Sequence, residues 1–89
     1  MSLSTGDNPK AGAVTFTTSA APVNTNLTCI AVLIQADQGN TNNLLVGDAN
    51  SQTINLKPGQ AITINCSNLN QVYCAGSGGN AVGNWLAIR

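Results

Sequence analysis

Few side chains in this sequence can act as a general acid, a general base or an activated nucleophile. The chain has no histidine and no glutamate, so a base can only be Asp7, Asp37 or Asp48. Acid–base catalysis needs a group that titrates near neutral pH, and a nucleophile needs a base beside it. No aspartate stands next to a serine or cysteine in a recognisable motif. The sequence therefore predicts a protein that is not an enzyme.

Oxygen ligands for a cation occur only around one polar turn. Asp37, Asn40 and Asp48 flank this turn and offer oxygens of the kind that calcium binds, although calcium needs six to eight of them. Turns themselves select Asp, Asn and Gly, because these residues bond the backbone locally. We interpret the three residues as turn formers, and we predict no metal and no cofactor.

The three cysteines, Cys29, Cys66 and Cys74, fall inside or at the ends of predicted strands. Their number is odd, and neither a CxxC pair nor a histidine accompanies them, which excludes the usual zinc motifs. We interpret them as small buried hydrophobic residues. The alternative is a Cys66–Cys74 disulfide between neighbouring strands.

Two formal motif matches carry no function. The segment Gly76 to Ala81 fits the GxGxx(G/A) nucleotide fingerprint, which requires a following helix to bind the pyrophosphate. A short β-like run follows instead, so the match is due to chance. Asn26 and Asn65 begin glycosylation sequons, which a chain with thirteen asparagines produces freely.

Trp85 is the single tryptophan, and three roles are open to it. The small residues Ala81, Gly83 and Ala87 share its predicted strand face, which favours close approach of another chain at a contact between subunits. Packing in the core is the second role. The third is a stacking platform for a sugar ring, which Tyr73 offers as well.

The pattern of apolar residues predicts an all-β fold. Apolar and polar residues alternate in short segments about ten residues apart, and no segment has helical apolar spacing. This spacing predicts a small antiparallel β-sandwich of about seven strands at residues 13–18, 28–36, 44–47, 52–56, 61–66, 72–75 and 81–88. Ile54 and Leu56 are predicted to face inward, as are Ile62, Ile64 and Cys66 in the alternating segment Ala61 to Cys66. The pair Pro58-Gly59 predicts a type II turn with positive φ at the glycine. We expect residues 13–89 to form this domain, and residues 1–12 to form a flexible N-terminal arm.

The predicted central strand, Thr28 to Ala36, is apolar on both faces. Alternation places Ile30, Val32 and Ile34 on one face and Cys29, Ala31 and Leu33 on the other. A strand of this kind must be covered on both sides, and a single small sandwich covers only one. We therefore predict a second layer from a neighbouring subunit, and the N-terminal arm is the alternative. The residues that we predict at interfaces are Lys10, Phe16, Ala31, Leu33 and Trp85.

The low charge of the chain excludes some classes of binding partner. Only 7% of the residues are charged and the net charge is zero, so we expect neither nucleic acid nor an anionic membrane as a partner. A chain of 89 residues has a thin stability margin, which favours self-association. The N-terminus has no basic segment followed by an apolar core, so we expect synthesis in the cytoplasm without a signal peptide.

The order of several short motifs resembles a family of small virion proteins of tailed bacteriophages. These motifs are Ala21-Pro22-Val23, Cys29 to Ala36, Asn40-Thr41, Val46-Gly47-Asp48, Leu56 to Ile62, Asn68-Leu69 and Val72-Tyr73. The resemblance extends over about residues 20 to 88. It implies a jelly-roll-like sandwich that acts as a homo-oligomer, with a trimer expected, and that decorates or cements the capsid exterior by binding the major capsid protein. Two alternatives stay open: a carbohydrate-binding module, and a tail or fibre-base module of the same fold.

Overall fold

The computed structural model describes residues 8–89, which form two four-stranded antiparallel sheets arranged as a β-sandwich. Its strands are β1 (Lys10–Phe16), β2 (Ala21–Pro22), β3 (Ala31–Ala36), β4 (Leu44–Gly47), β5 (Ile54–Leu56), β6 (Ala61–Asn65), β7 (Tyr73–Gly76) and β8 (Ala81–Ile88). A 3-10 turn at Leu69–Gln71 precedes β7. Within residues 8–89, no helix is long and apolar enough to cross a membrane. The prediction of an all-β sandwich is confirmed.

The two sheets have a regular strand order. Sheet A has the order β1-β8-β3-β6, and sheet B has the order β2-β7-β4-β5. The chain folds back on itself, because β4 pairs with β5, β3 with β6, β2 with β7 and β1 with β8. These pairs alternate between the sheets, and the β3–β8 and β4–β7 pairings complete each sheet.

Each predicted strand region contains a strand, and the differences lie at the ends. An eighth strand, Ala21–Pro22, occurs in a predicted connection and lies at the edge of sheet B, where a proline without an N–H is tolerated. Strand β1 begins at Lys10, so residues 10–12 of the predicted arm belong to sheet A. Residues 1–7 of that arm lie outside the described residues.

The core lies between the sheets and is apolar. Phe16, Val32 and Ile34 from sheet A and Leu44 and Val46 from sheet B are each at most 2% exposed. Full burial of such a side chain contributes about 1.5–3 kcal/mol relative to exposure. The alternation predicted for β6 is confirmed, since its even-numbered residues pack against this core and its odd-numbered residues are exposed.

The prediction for the start of the central strand is wrong. Alternation placed Ile30 on the same face as Val32 and Ile34, which are in the core, but the chain bends at Ile30, which is 67% exposed, while Cys29 is buried in the core. The Ile30 N–H donates to the Ile88 carbonyl at 2.8 Å, and the Ile30 carbonyl accepts from the Cys66 N–H at 3.3 Å. These two backbone bonds hold the bend, which turns Cys29 inward and Ile30 outward.

Strand β5 also differs from the expected pattern. Leu56 is buried as predicted, but Ile54, which was predicted to face inward with it, is 44% exposed. Strand β5 is the edge strand of sheet B and has three residues. The outer end of so short an edge strand receives little cover from the opposite sheet.

Candidate interface on the outer face of sheet A

The outer face of sheet A is formed by the residues that alternate with the buried ones on its four strands. Strand β3 shows the alternation, because Val32, Ile34 and Ala36 are at most 1% exposed and the residues between them point away from the core. By register, the outer face consists of Ala11, Ala13, Thr15, Ala31, Leu33, Gln35, Ala61, Thr63, Asn65, Val82, Asn84, Leu86 and Ile88. None of these side chains is charged.

One end of this face is apolar. Leu33 lies opposite Leu86, and Ala31 lies opposite Ile88. Ile30 adjoins them, because its N–H bonds to the Ile88 carbonyl. Ile30, Leu86 and Ile88 are 67%, 37% and 40% exposed, and together with Ile54 they are the large exposed hydrophobic residues of the described chain. We call Ile30, Ala31, Leu33, Leu86 and Ile88 the apolar end, and a contiguous exposed patch of this kind is typical of an interaction site.

The other end of the face is polar. The Asn84 Nδ2 donates to the Asp37 carboxylate at 3.0 Å and to the Gln35 Oε1 at 3.4 Å. The other oxygen of Asp37 accepts from the Gly39 N–H at 2.9 Å. These two bonds hold the pKa of Asp37 below its ordinary value, and the bond from Asn84 has the larger effect. A carboxylate with fixed geometry therefore marks the rim of the face.

A shallow depression connects the two ends. It has a volume of about 210 Å³ and is lined by Leu33, Gln35, Ala61, Asn84, Trp85 and Leu86. Pockets that bury a small ligand have volumes of about 300–1,000 Å³. The depression is smaller than that and open, so it suits an inserted side chain better than an enclosed ligand.

The predicted interface residues do not all lie on this face. Ala31 and Leu33 lie on it. Ala31 is only 8% exposed, because its neighbours within the chain cover it. Lys10 is exposed at the start of the edge strand β1. Phe16 is 2% exposed and belongs to the core, because alternation on β1 turns it inward over Gly83. Its side chain is therefore not available at the surface.

Trp85 belongs to the inner side of sheet A, where it is half-buried and packs against the core. It lies opposite Ile34 on one side and Gly12 on the other. A Cβ at Gly12 would come within 2.8 Å of the indole Cζ2, so a glycine is needed for this close packing. The indole Nε1 is buried and has no hydrogen-bond partner within residues 8–89. Of the three roles considered for Trp85, this geometry favours core packing.

Sequence reasoning missed Ile30, Leu86 and Ile88 as members of the face. Strand alternation contained the signal for two of them, because Leu86 and Ile88 alternate with the inner residues Trp85 and Ala87. Ile30 had no such signal, since its exposure depends on the bend that Ile88 and Cys66 hold.

The structure does not support the Cys66–Cys74 bridge. All three thiols are free, and the Cys66 Sγ lies 3.4 Å from the Cys29 Sγ. Cys74 is fully buried in the core, where burial raises the pKa of its thiol to about 12. Cys29 and Cys74 are buried as predicted, and Cys66 is half-buried.

The polar turn residues use their oxygens within the fold. Asn40 forms two bonds with the backbone of Val82: its Nδ2 donates to the carbonyl at 2.9 Å, and its Oδ1 accepts from the N–H at 2.8 Å. Asp48 accepts from the N–H groups of Asn50 and Ser51. Their interpretation as turn formers is confirmed. Similarly, a strand and not a helix follows the glycine-rich turn after Gly76.

No protein-family model matches the chain, and no curated protein or solved structure is significantly similar to it. The resemblance to bacteriophage virion proteins therefore stays a prediction.

Proposed function

We propose that the chain is a non-enzymatic structural protein of a tailed bacteriophage, which decorates or cements the capsid exterior as a homo-oligomer. The observation that carries this proposal is the uncharged outer face of sheet A with its apolar end. The face is made of regular, hydrogen-bonded strands, so a partner can bind it without reordering the backbone.

The strand order supports the choice of protein class. In a jelly roll, eight strands form two four-stranded sheets through two Greek keys, a fold used by viral capsid and lectin domains. A chain that pairs β1 with β8, β2 with β7, β3 with β6 and β4 with β5, in alternate sheets, follows that plan. We therefore propose the finer assignment as a jelly roll, which agrees with the resemblance to virion proteins.

A second copy of the chain is the occupant that we propose for the outer face. The face carries no charge that would need a complementary partner, and the whole chain has six charged residues that cancel. Apolar contact between copies stabilises a domain whose own core is small. We propose a trimer, in which each copy covers the apolar end of a neighbour.

The edge strand β1 offers a means of attachment to the shell. Within residues 8–89 it pairs only with β8, so its other side presents backbone donors and acceptors. Edge strands of this kind bind a further strand by backbone hydrogen bonds. We propose that this edge pairs with the major capsid protein.

Available side-chain chemistry supports a role without catalysis. The chain has no histidine and no glutamate, and burial raises the pKa values of Cys66 and Cys74 to about 11 and about 12. These thiols are protonated at neutral pH, and a protonated thiol is a poor nucleophile.

Two measurements test the proposal. Light scattering after size exclusion should give the mass of an oligomer, and co-sedimentation with capsids that lack the chain should show saturable binding. A stable monomer that does not bind capsids would overturn the proposal.

The second candidate is a carbohydrate-binding module, which the depression on the outer face favours. Gln35 and Asn84 place amide groups beside Leu33 and Leu86 there, a combination of polar and apolar groups that suits a sugar. Saturable binding to a glycan array that is lost in Asn84→Ala would support this candidate. Tyr73 lies in sheet B and does not contribute to the depression.

A further inference from the structure

The thiols of Cys29 and Cys66 meet at one end of sheet A. Their sulfur atoms are 3.4 Å apart, and the Cys29 Sγ also lies 3.4 Å from the Cys66 carbonyl oxygen. Cys29 is 9% exposed, whereas Cys66 is half-buried and reaches solvent. The pair thus contains one accessible thiol and one covered thiol in contact.

The backbone fixes this contact. Strands β3 and β6 pair up to Ala31 and Asn65, and the ladder continues beyond them. The Cys66 N–H donates to the Ile30 carbonyl at 3.3 Å, and the Cys29 N–H donates to the Ser67 carbonyl at 3.1 Å. The bend at Ile30 turns Cys29 inward, to the side on which Cys66 continues the inner row of β6.

We propose that Cys29 and Cys66 form a redox pair, which closes to an intramolecular disulfide by exchange with a low-molecular-weight disulfide such as oxidised glutathione. The two sulfurs need to approach from 3.4 Å to about 2.0 Å. The pair lies on the inner side of sheet A, so the inference does not rest on the proposed oligomer.

The exchange takes place in two steps. The accessible Cys66 sulfur, after losing its proton, attacks one sulfur of oxidised glutathione and expels glutathione thiolate, which takes up a proton. Cys29 then loses its proton, attacks the Cys66 sulfur and expels the second glutathione. Two protein thiols are oxidised to one disulfide, and one molecule of oxidised glutathione is reduced to two thiols.

The surroundings set the pH dependence of the reaction. Burial, and then the contact with Cys29, raise the pKa of Cys66 to about 11. The attacking thiolate is therefore a small fraction at neutral pH, and the rate of closure should increase with pH up to this pKa.

The bond would close a loop of the chain that includes strands of both sheets. The segment between Cys29 and Cys66 contains β3 and β6 of sheet A and β4 and β5 of sheet B. A bridge across a loop of this length restricts the unfolded chain, and we expect Tm to rise on the order of 10 °C.

Incubation of the purified chain with excess oxidised glutathione tests the inference. Intact-mass analysis should show the loss of two hydrogens, peptide mapping should join Cys29 to Cys66, and dithiothreitol should reverse both changes and the rise in Tm. A product in which Cys29 and Cys66 stay free, carry only glutathione, or bond to Cys74 or to another chain would overturn the inference.

Three variants resolve the roles of the thiols. Cys29→Ser should stop at the mixed disulfide and gain one glutathionyl group on Cys66, whereas Cys66→Ser should leave the covered Cys29 unmodified. Cys74→Ser should still form the bridge as the unaltered chain does. Mapping of the unaltered chain decides the question even if a variant fails to fold.

Discussion

Leu33 of β3 lies directly opposite Leu86 of β8 on the outer face of sheet A. Leu86 also faces Ala11 of β1, and Leu33 faces Thr63 of β6, so one uncharged row crosses all four strands. A sheet that is apolar on its outer side as well as in its core requires cover on both sides. The two leucines, on the adjacent strands β3 and β8, lie at the centre of the surface that needs this cover.

A charge at Leu86 should prevent assembly. Leu86 is 37% exposed, so Leu86→Glu should fold, but a carboxylate buried between copies loses its hydration without a partner. We expect a loss of association on the order of 2 kcal/mol or more, seen as a monomer mass by light scattering.

Ile54→Glu is the matched control for this variant. Ile54 is 44% exposed on β5 of sheet B, away from the outer face of sheet A, so this variant should keep the oligomer mass. If Leu86→Glu assembles as the unaltered chain does, copies do not meet through this face.

The turn from Lys57 to Gln60 should depend on its glycine. Gly59 has a φ of +90°, and the Gln60 N–H donates to the Lys57 carbonyl at 2.9 Å. An alanine costs about 1–2 kcal/mol in this left-handed region, so Gly59→Ala should lower Tm by roughly 5–10 °C. Gly39 has no positive φ, and a Cβ there would meet only the Asp37 Oδ2, at 3.1 Å, so Gly39→Ala should lower Tm less than Gly59→Ala does. Equal Tm values for the two variants would show that the turn is not constrained.

The two bonds between Asn40 and Val82 should contribute measurably to stability. Both are partly buried, and Asn40→Ala leaves the Val82 N–H without its acceptor. We expect a loss of about 1–3 kcal/mol in urea denaturation. Asn42→Ala removes one exposed bond, to the Asn80 carbonyl, and should cost less than about 1 kcal/mol. A smaller loss for Asn40→Ala than for Asn42→Ala would contradict the role given to Asn40.

Asp37 should titrate below its ordinary pKa of 3.8, chiefly because Asn84 donates to its carboxylate. A lowered pKa in the folded state means that the contribution to stability is present above pH 3.8 and is lost as the pH falls through the folded pKa. An NMR titration should give a low pKa for Asp37 and a higher one in Asn84→Ala. A pKa at or above 3.8 in the unaltered chain would refute the assignment.

Local patterns predicted much of this fold. The alternation in Ala61 to Cys66 placed the faces of β6, and the Pro58-Gly59 pair located a turn with positive φ at the glycine. In both places the decisive interactions lie within a few residues along the chain, so the sequence contains them.

Long-range features were not accessible in the same way. The bend at Ile30 depends on backbone bonds to Ile88 and Cys66, and the Cys29–Cys66 contact depends on the register of β3 with β6. Alternation alone allowed Phe16 to lie either at an interface or in the core. Its close packing over Gly83 shows that it lies in the core. All three features depend on which strands pair with each other in the fold, and local sequence patterns do not contain this information.

Electron cryomicroscopy of virions that carry the chain tests the proposed function most directly. We predict density for the two-sheet sandwich on the outer capsid shell, with the outer face of sheet A against a neighbouring copy and β1 towards the shell. Density only at the tail or a fibre base would assign the alternative structural role. A virion without the chain, or copies whose sheet A faces solvent, would contradict the account.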